Sequence, residues 1–116
     1  MPTPEEEATK KTQEELIRSE RRLQAQLDRI YNLVKKGTAS SFVEIEYRRA
    51  VERLTEKYQL LQQLLELQKQ DIEDSEFTNR QTQLQEQYKE DIVVLAQAID
   101  DAVEEYGQKK SSQDTA

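Results

Sequence analysis

The sequence predicts an all-α protein: an antiparallel, up-down-up three-helix bundle with coiled-coil-like packing. Three observations lead there. First, Tyr47, Val51, Leu54, Tyr58, Leu61, Leu65 and Ile72 recur at alternating steps of four and three, with Gln68 as the polar gap. That spacing lines one side of an α-helix and suits no strand. Second, Gly37 sits between two periodic stretches, followed by the short polar run Thr38-Ala39-Ser40-Ser41. A connection that short between long helices folds them back on each other. Third, the apolar rhythm slips by one residue after Ile72. Its register carried forward would put the core at Asn79, Glu86 and Val93, whereas the stripe runs Tyr88, Ile92, Leu95, Ile99, Ala102 and Tyr106. The slip reads as a second reversal. The alternative is a register skip inside one long rod, giving a dimeric helical hairpin with a continuous second helix.

The first helix, about 4–36, has a complete start signal. Thr3 suits the N-cap, Pro4 the first helical position, and Glu6 completes a Thr-x-x-Glu capping box. Its stripe is Leu16, Leu23, Leu27, Ile30 and Val34, with polar Gln13 and Glu20 at stripe positions nearer the start. Residues 1–12 are therefore expected to be a frayed helical extension. Lys35-Lys36-Gly37 is a stop: cations favour the last carbonyls, and glycine takes the left-handed position beyond them at least cost.

The second helix is expected over about 42–73. Ser41 and Glu44 form the capping pattern, and Phe42 is its first residue. A second apolar row, Leu60, Leu64 and Leu67, lies beside the main stripe, so this helix has surface for two neighbours. The acidic run Asp71 to Glu76 is poor at a helix C-terminus and good at an N-terminus. It marks the break, with Ser75 or Thr78 as the cap of a third helix over about 77–106. That helix is apolar all round at Ile92-Val93-Val94-Leu95, as befits a central core position or a contact with another chain. Gly107 is its expected stop and residues 108–116 a disordered tail, so the three-helix domain spans 13–107.

Apolar residues make up 34% of the 116 and charged residues 35%, which leaves a narrow core under a heavily charged surface. The net charge of −7 is unevenly spread: residues 8–57 hold twelve Lys/Arg against eight Asp/Glu, and residues 58–106 three against twelve. In an up-down-up bundle, Lys35, Lys36, Arg48 and Arg49 share an end with Asp100, Asp101, Glu104 and Glu105. Lys10, Lys11 and Arg18 share the other with Asp71, Glu73, Asp74 and Glu76. Pairing between helices is the expected fate of this split, each exposed pair contributing about 0–1 kcal/mol. The competing reading is an acidic surface that occupies a basic site on another protein.

Enzyme chemistry has no foothold. Without histidine or cysteine, the usual general base, nucleophile and zinc ligands are missing. The acidic run at Asp71 lacks the glycine and spacing of a calcium-binding loop, and two glycines draw no phosphate-cradling loop. No catalytic residue, metal ligand or cofactor is expected. Nucleic-acid binding would rest on Arg18, Arg21, Arg22, Arg29, Arg48, Arg49 and Arg53, but interleaved acids blunt it. No stretch approaches the roughly 18 apolar residues of a membrane span, and Met1 to Glu7 is acidic where a secretory signal is basic. An intracellular (cytoplasmic) location is expected, with no membrane partner.

The function expected is that of a non-catalytic protein–protein interaction module of assembly, adaptor, scaffold or chaperone type, binding helix to helix. The alternative is a small acidic regulator. Candidate contact residues are Leu60, Leu64, Leu67, Val93 and Val94, together with Tyr31 and Phe42 beside the first reversal, where mutual packing is their other use. Homodimerisation through the Leu60 row or the Ile92–Leu95 run is a further way to cover apolar surface.

Overall fold

A computed structural model describes residues 3–114, with side chains described as far as Tyr106. Three helices form an antiparallel up-down-up bundle: α1 (Pro4–Lys35), α2 (Ser40–Leu67) and α3 (Asp74–Asp114). No strand occurs among the described residues.

The start of α1 follows its local chemistry. Thr3 is extended and its hydroxyl accepts the Glu6 N–H at 3.1 Å, with Pro4 in the first turn and Glu5, Glu6 and Glu7 at the positive end of the dipole. At the other end Gly37 has φ 69°, which suits a residue without Cβ. The Thr38 N–H reaches the Leu33 carbonyl at 3.1 Å, and the Gly37 N–H the Val34 carbonyl at 3.0 Å. This is a Schellman turn, and it reverses the chain.

Helix α2 starts two residues before its expected position. Ala39 is the N-cap, without a side-chain cap bond, and its carbonyl accepts from Phe42 (3.1 Å) and Val43 (3.4 Å). Ser41 lies inside the first turn, so its capping box does not form. The early start brings Val43 into the core beside Val34. Helix α2 also ends early, at Leu67 and not 73. A 3-10 turn, Lys69–Asp71, follows, and Ile72 is extended at φ −127°, ψ 155°. Ile72 therefore leaves the stripe. The break falls where the rhythm slips, and the dipole explains its place: Asp74 and Glu76 occupy the first turn of α3, where acids are favoured. Ser75 and Thr78 lie within that helix and are not its cap.

Helix α3 continues through Gly107 to Asp114, past the expected stop. A glycine inside a helix costs about 1 kcal/mol against alanine, and no proline follows to enforce an end. The tail expected at 108–116 is thus helical to Asp114, and residues 115–116 lie outside the described ones. At 41 residues α3 is longer than the helix expected over about 77–106, and the molecule measures 67 × 30 × 18 Å.

The core gathers toward the α1–α2 turn. Ile30 and Val34 meet Val43, Ala50, Leu54, Leu95, Ile99 and Ala102 there, flanked by half-buried Leu23, Leu27, Tyr47, Val51, Tyr58, Tyr88, Ile92 and Tyr106. Further along α1 the buried positions are Thr12 and Ser19, one residue before the exposed Gln13 and Glu20. The stripe thus runs Thr12, Leu16, Ser19, Leu23, with small polar members at two of its four positions. The Thr12 hydroxyl donates to the Ala8 carbonyl at 2.8 Å, whereas Ser19 is 0% exposed and its Oγ has no hydrogen-bond partner. An unsatisfied buried hydroxyl costs about 1–3 kcal/mol. Ser19→Ala should therefore raise stability by about 1 kcal/mol in urea unfolding. An unchanged or lower midpoint would show that the hydroxyl is satisfied after all.

The charges pair differently from expectation. Arg22–Glu56 (3.0 Å) and Arg29–Glu46 (3.6 Å) cross between helices, and both join α1 to α2. Arg48–Glu44, Arg49–Glu46 and Arg53–Glu56 lie within α2. Arg22, Arg29, Arg48, Arg49 and Arg53 of the basic half are thus met by acids of that same half. Glu46 is buried and also accepts a hydrogen bond from Gln26, so it joins α1 and α2 near the middle of their seam. Asp71, Glu73, Asp74, Asp100 and Asp101 stay exposed outside these pairs, and Glu76 turns to Arg80 on its own helix.

Candidate protein interaction groove

Beyond the apolar core, two polar contacts join α3 to α2, and a buried ring secures the start of α3. The Thr55 hydroxyl donates its single hydrogen to the Val51 carbonyl (2.9 Å), so in its 2.6 Å contact with Tyr88 the phenol is the donor. Tyr58 donates to the Asp91 carboxylate, and the Tyr58 and Tyr88 rings pack at 5.3 Å with a 53° tilt. Near the start of α3, Phe77 is buried under the Lys69 ammonium, 5.2 Å from the ring centre. Burial raises the Tyr58 pKa well above its ordinary value near 10, helped by the Asp91 hydrogen bond and then by the Asp91 and Glu90 charges.

The folded state therefore holds the Tyr58 proton more tightly than the unfolded chain does. The resulting stability is complete below pH 10 and falls as pH rises above it. Tyr58→Phe should cost about 0.5–1.5 kcal/mol at neutral pH. Above pH 10 its unfolding midpoint should fall less steeply than the parent's. Parallel declines for the two proteins would remove Tyr58 as the source.

Between Phe77 and Tyr88 the packing thins. Most of α3 here is polar, Thr78-Asn79-Arg80-Gln81-Thr82-Gln83-Leu84-Gln85-Glu86-Gln87, with Leu84 its one apolar side chain. Helix α1 leaves it uncovered, and Gln13 and Glu20 are exposed on that part of α1. An open groove of about 490 Å³ results, lined by Leu61, Leu64, Leu65 and Gln68 of α2 and by Arg80, Gln83, Leu84 and Gln87 of α3. No α1 residue contributes to its lining. A second groove of about 430 Å³ lies between the same helices, lined by Tyr58, Tyr88, Leu84 and four glutamines among others.

The residues singled out from sequence divide. Leu64 lines the groove, and Leu67 is half-buried at the end of α2. Leu60 is buried one turn beyond Glu56, on the side of α2 that meets α1, so it offers no free surface. Val93 and Val94 are 67% and 63% exposed, and their neighbours Ile92 and Leu95 go to the core. Adjacent helical residues point about 100° apart, so the four-residue run divides between interior and solvent. Tyr31 packs toward α3, lining a cleft with Leu27, Val94 and Ala98. Phe42 is 60% exposed beside exposed Ile45, so the two aromatics do not close the hairpin together. Sequence reasoning did not single out Leu84, Gln83, Gln87 or Arg80. The available signal was the polar stretch around a lone leucine, opposite polar Gln13 and Glu20.

Among the described residues, no group of three or more His, Cys, Asp or Glu side chains could hold a metal ion, and no helix is long and apolar enough to cross a membrane. No family model, curated protein or solved structure matches the chain.

Proposed function

We propose that this chain is a non-catalytic helical interaction module of assembly, adaptor, scaffold or chaperone type, intracellular, that binds protein partners helix against helix. The observation behind this reading is the groove: Leu61, Leu64, Leu65 and Leu84 form an apolar floor between two helices that the third helix leaves open. A cleft between two antiparallel helices lying side by side is the shape an amphipathic helix fills, its apolar side chains set one turn apart. Homodimerisation is one use of such a surface.

The test is Leu64→Glu, with helix content checked by circular dichroism. Partner capture that survives high salt in the parent and is lost in the variant supports the module. Unchanged solution mass together with unchanged capture would count against it.

The acidic-regulator reading is favoured by a separate observation, the exposed carboxylates of α3 that the α1–α2 ion pairs leave out. Capture that falls steeply with salt and ignores Leu64→Glu would select it. Nucleic-acid binding is the weaker reading, since Arg22, Arg29, Arg48, Arg49 and Arg53 are engaged by glutamates.

A further inference from the structure

We propose that the α2–α3 groove takes a short basic amphipathic helix from another protein, seated by two apolar side chains one turn apart and flanked by Lys or Arg. This rests on the interaction-module reading and adds the chemistry of the partner. The length follows from the lining: Leu61 to Gln68 and Arg80 to Gln87 each cover two turns, about 10 Å along the axis. Leucines supply the floor and Gln68, Gln83 and Gln87 the walls, whose amides both donate and accept and so demand no charge of their own.

The sign of the partner follows from the surroundings. Residues 3–22 and 58–90, which build this end of the bundle, carry thirteen Asp/Glu against eight Lys/Arg. Arg80, the cation in the lining, is already held by Glu76 at 2.7 Å. Glu86 and Glu90 are exposed on α3 beside the groove. A basic helix is drawn to this end. A second copy entering through its own α3 would bring acid against acid, since residues 74–106 hold nine Asp/Glu and two Lys/Arg.

The probe is a fluorescent Leu/Lys peptide of about 14 residues, two contacting turns with one flanking turn at each end. Its leucines stand at i, i+3, i+4 and i+7. Controls are a Leu/Glu twin and a scrambled Leu/Lys peptide without helical spacing. Anisotropy with the full chain at low salt should show the Leu/Lys peptide binding at least about tenfold tighter than either control. Leu84→Glu should weaken it about tenfold or more. Gln83→Trp should do the same by filling the groove from an exposed position, which keeps the test decisive if Leu84→Glu disturbs folding. Glu86→Lys with Glu90→Lys should weaken it several-fold at low salt, the difference closing at high salt.

Equal binding of the Leu/Glu twin would overturn the basic partner and leave the helix-binding module standing. Equal binding of the scrambled peptide, indifferent to Gln83→Trp, would overturn both in favour of the acidic surface. A dimer of the chain that Gln83→Trp dissociates would make the occupant a second copy, against this inference but not against the module. Failure of all three peptides to bind overturns the inference, while Leu64→Glu still judges the module.

Discussion

Ile30→Ala should lower stability by about 2–5 kcal/mol, the range for removing a large aliphatic side chain from a core that cannot collapse around the loss. Ile30 is 0% exposed and sits where all three helices converge, with Val34 one turn beyond it. Domains are stable by only about 5–15 kcal/mol, so one substitution would remove a large share of the total. The position also lacks a substitute: along the α1 stripe the buried residues before it are Thr12 and Ser19, which offer little apolar area. Urea unfolding followed by circular dichroism measures the change. A loss below about 1 kcal/mol would mean that the helices close over the gap, and that α1 is held mainly by its seam with α2 around Glu46.

Phe77→Ala should cost about 3 kcal/mol, the low end for a buried phenylalanine, and the cost should be local. Phe77 is 7% exposed but lies outside the main cluster, anchoring the start of α3 below the 3-10 turn. The next contacts tying α3 to α2 come at Leu84 and then at the Tyr88–Thr55 and Tyr58–Asp91 bonds. Removing the ring should free the first turns of α3 while Leu95, Ile99 and Ala102 stay packed. Hydrogen exchange should accelerate over residues 74–84 and remain slow near Ile30 and Leu54. Acceleration everywhere by the same factor would show that the bundle opens only as a unit, and would remove the distinction between its two ends.

These two positions mark what the sequence discloses and what it hides. Ile30 is on a regular stripe, and such stripes survive folding because the core needs that face. The Thr3 cap and the Gly37 turn are equally readable, since their hydrogen bonds close within five residues. Phe77 and Leu84 extend the Tyr88 stripe backwards in phase, at steps of seven and four, but polar Gln81 between them and the polar residues around them disguise it. Thr12 and Ser19 hide because their polarity disguises two residues that the packing buries. The Ser41 capping pattern lost to the geometry of the Gly37 turn, which delivers a helical backbone already at Ser40. Arg48 and Arg49, expected to face the acids of α3, instead meet Glu44 and Glu46 three or four residues away on their own helix, where the sequence already sets the partners side by side. The groove was the least readable feature. It is defined by what α1 does not cover, and its traces were the polar stretch around Leu84 and the polar Gln13 and Glu20.

The hydrophobic cluster lies next to the first reversal, and this has a kinetic consequence. Val34 and Val43 meet with eight residues between them, so joining them closes a very short loop at small entropic cost. The α1–α2 hairpin is therefore expected to form first, from neighbours in the chain, with α3 docking onto it, which folding rates of Val43→Ala would read as a slowed folding arm. Low contact order of this kind belongs to proteins that fold in microseconds to milliseconds.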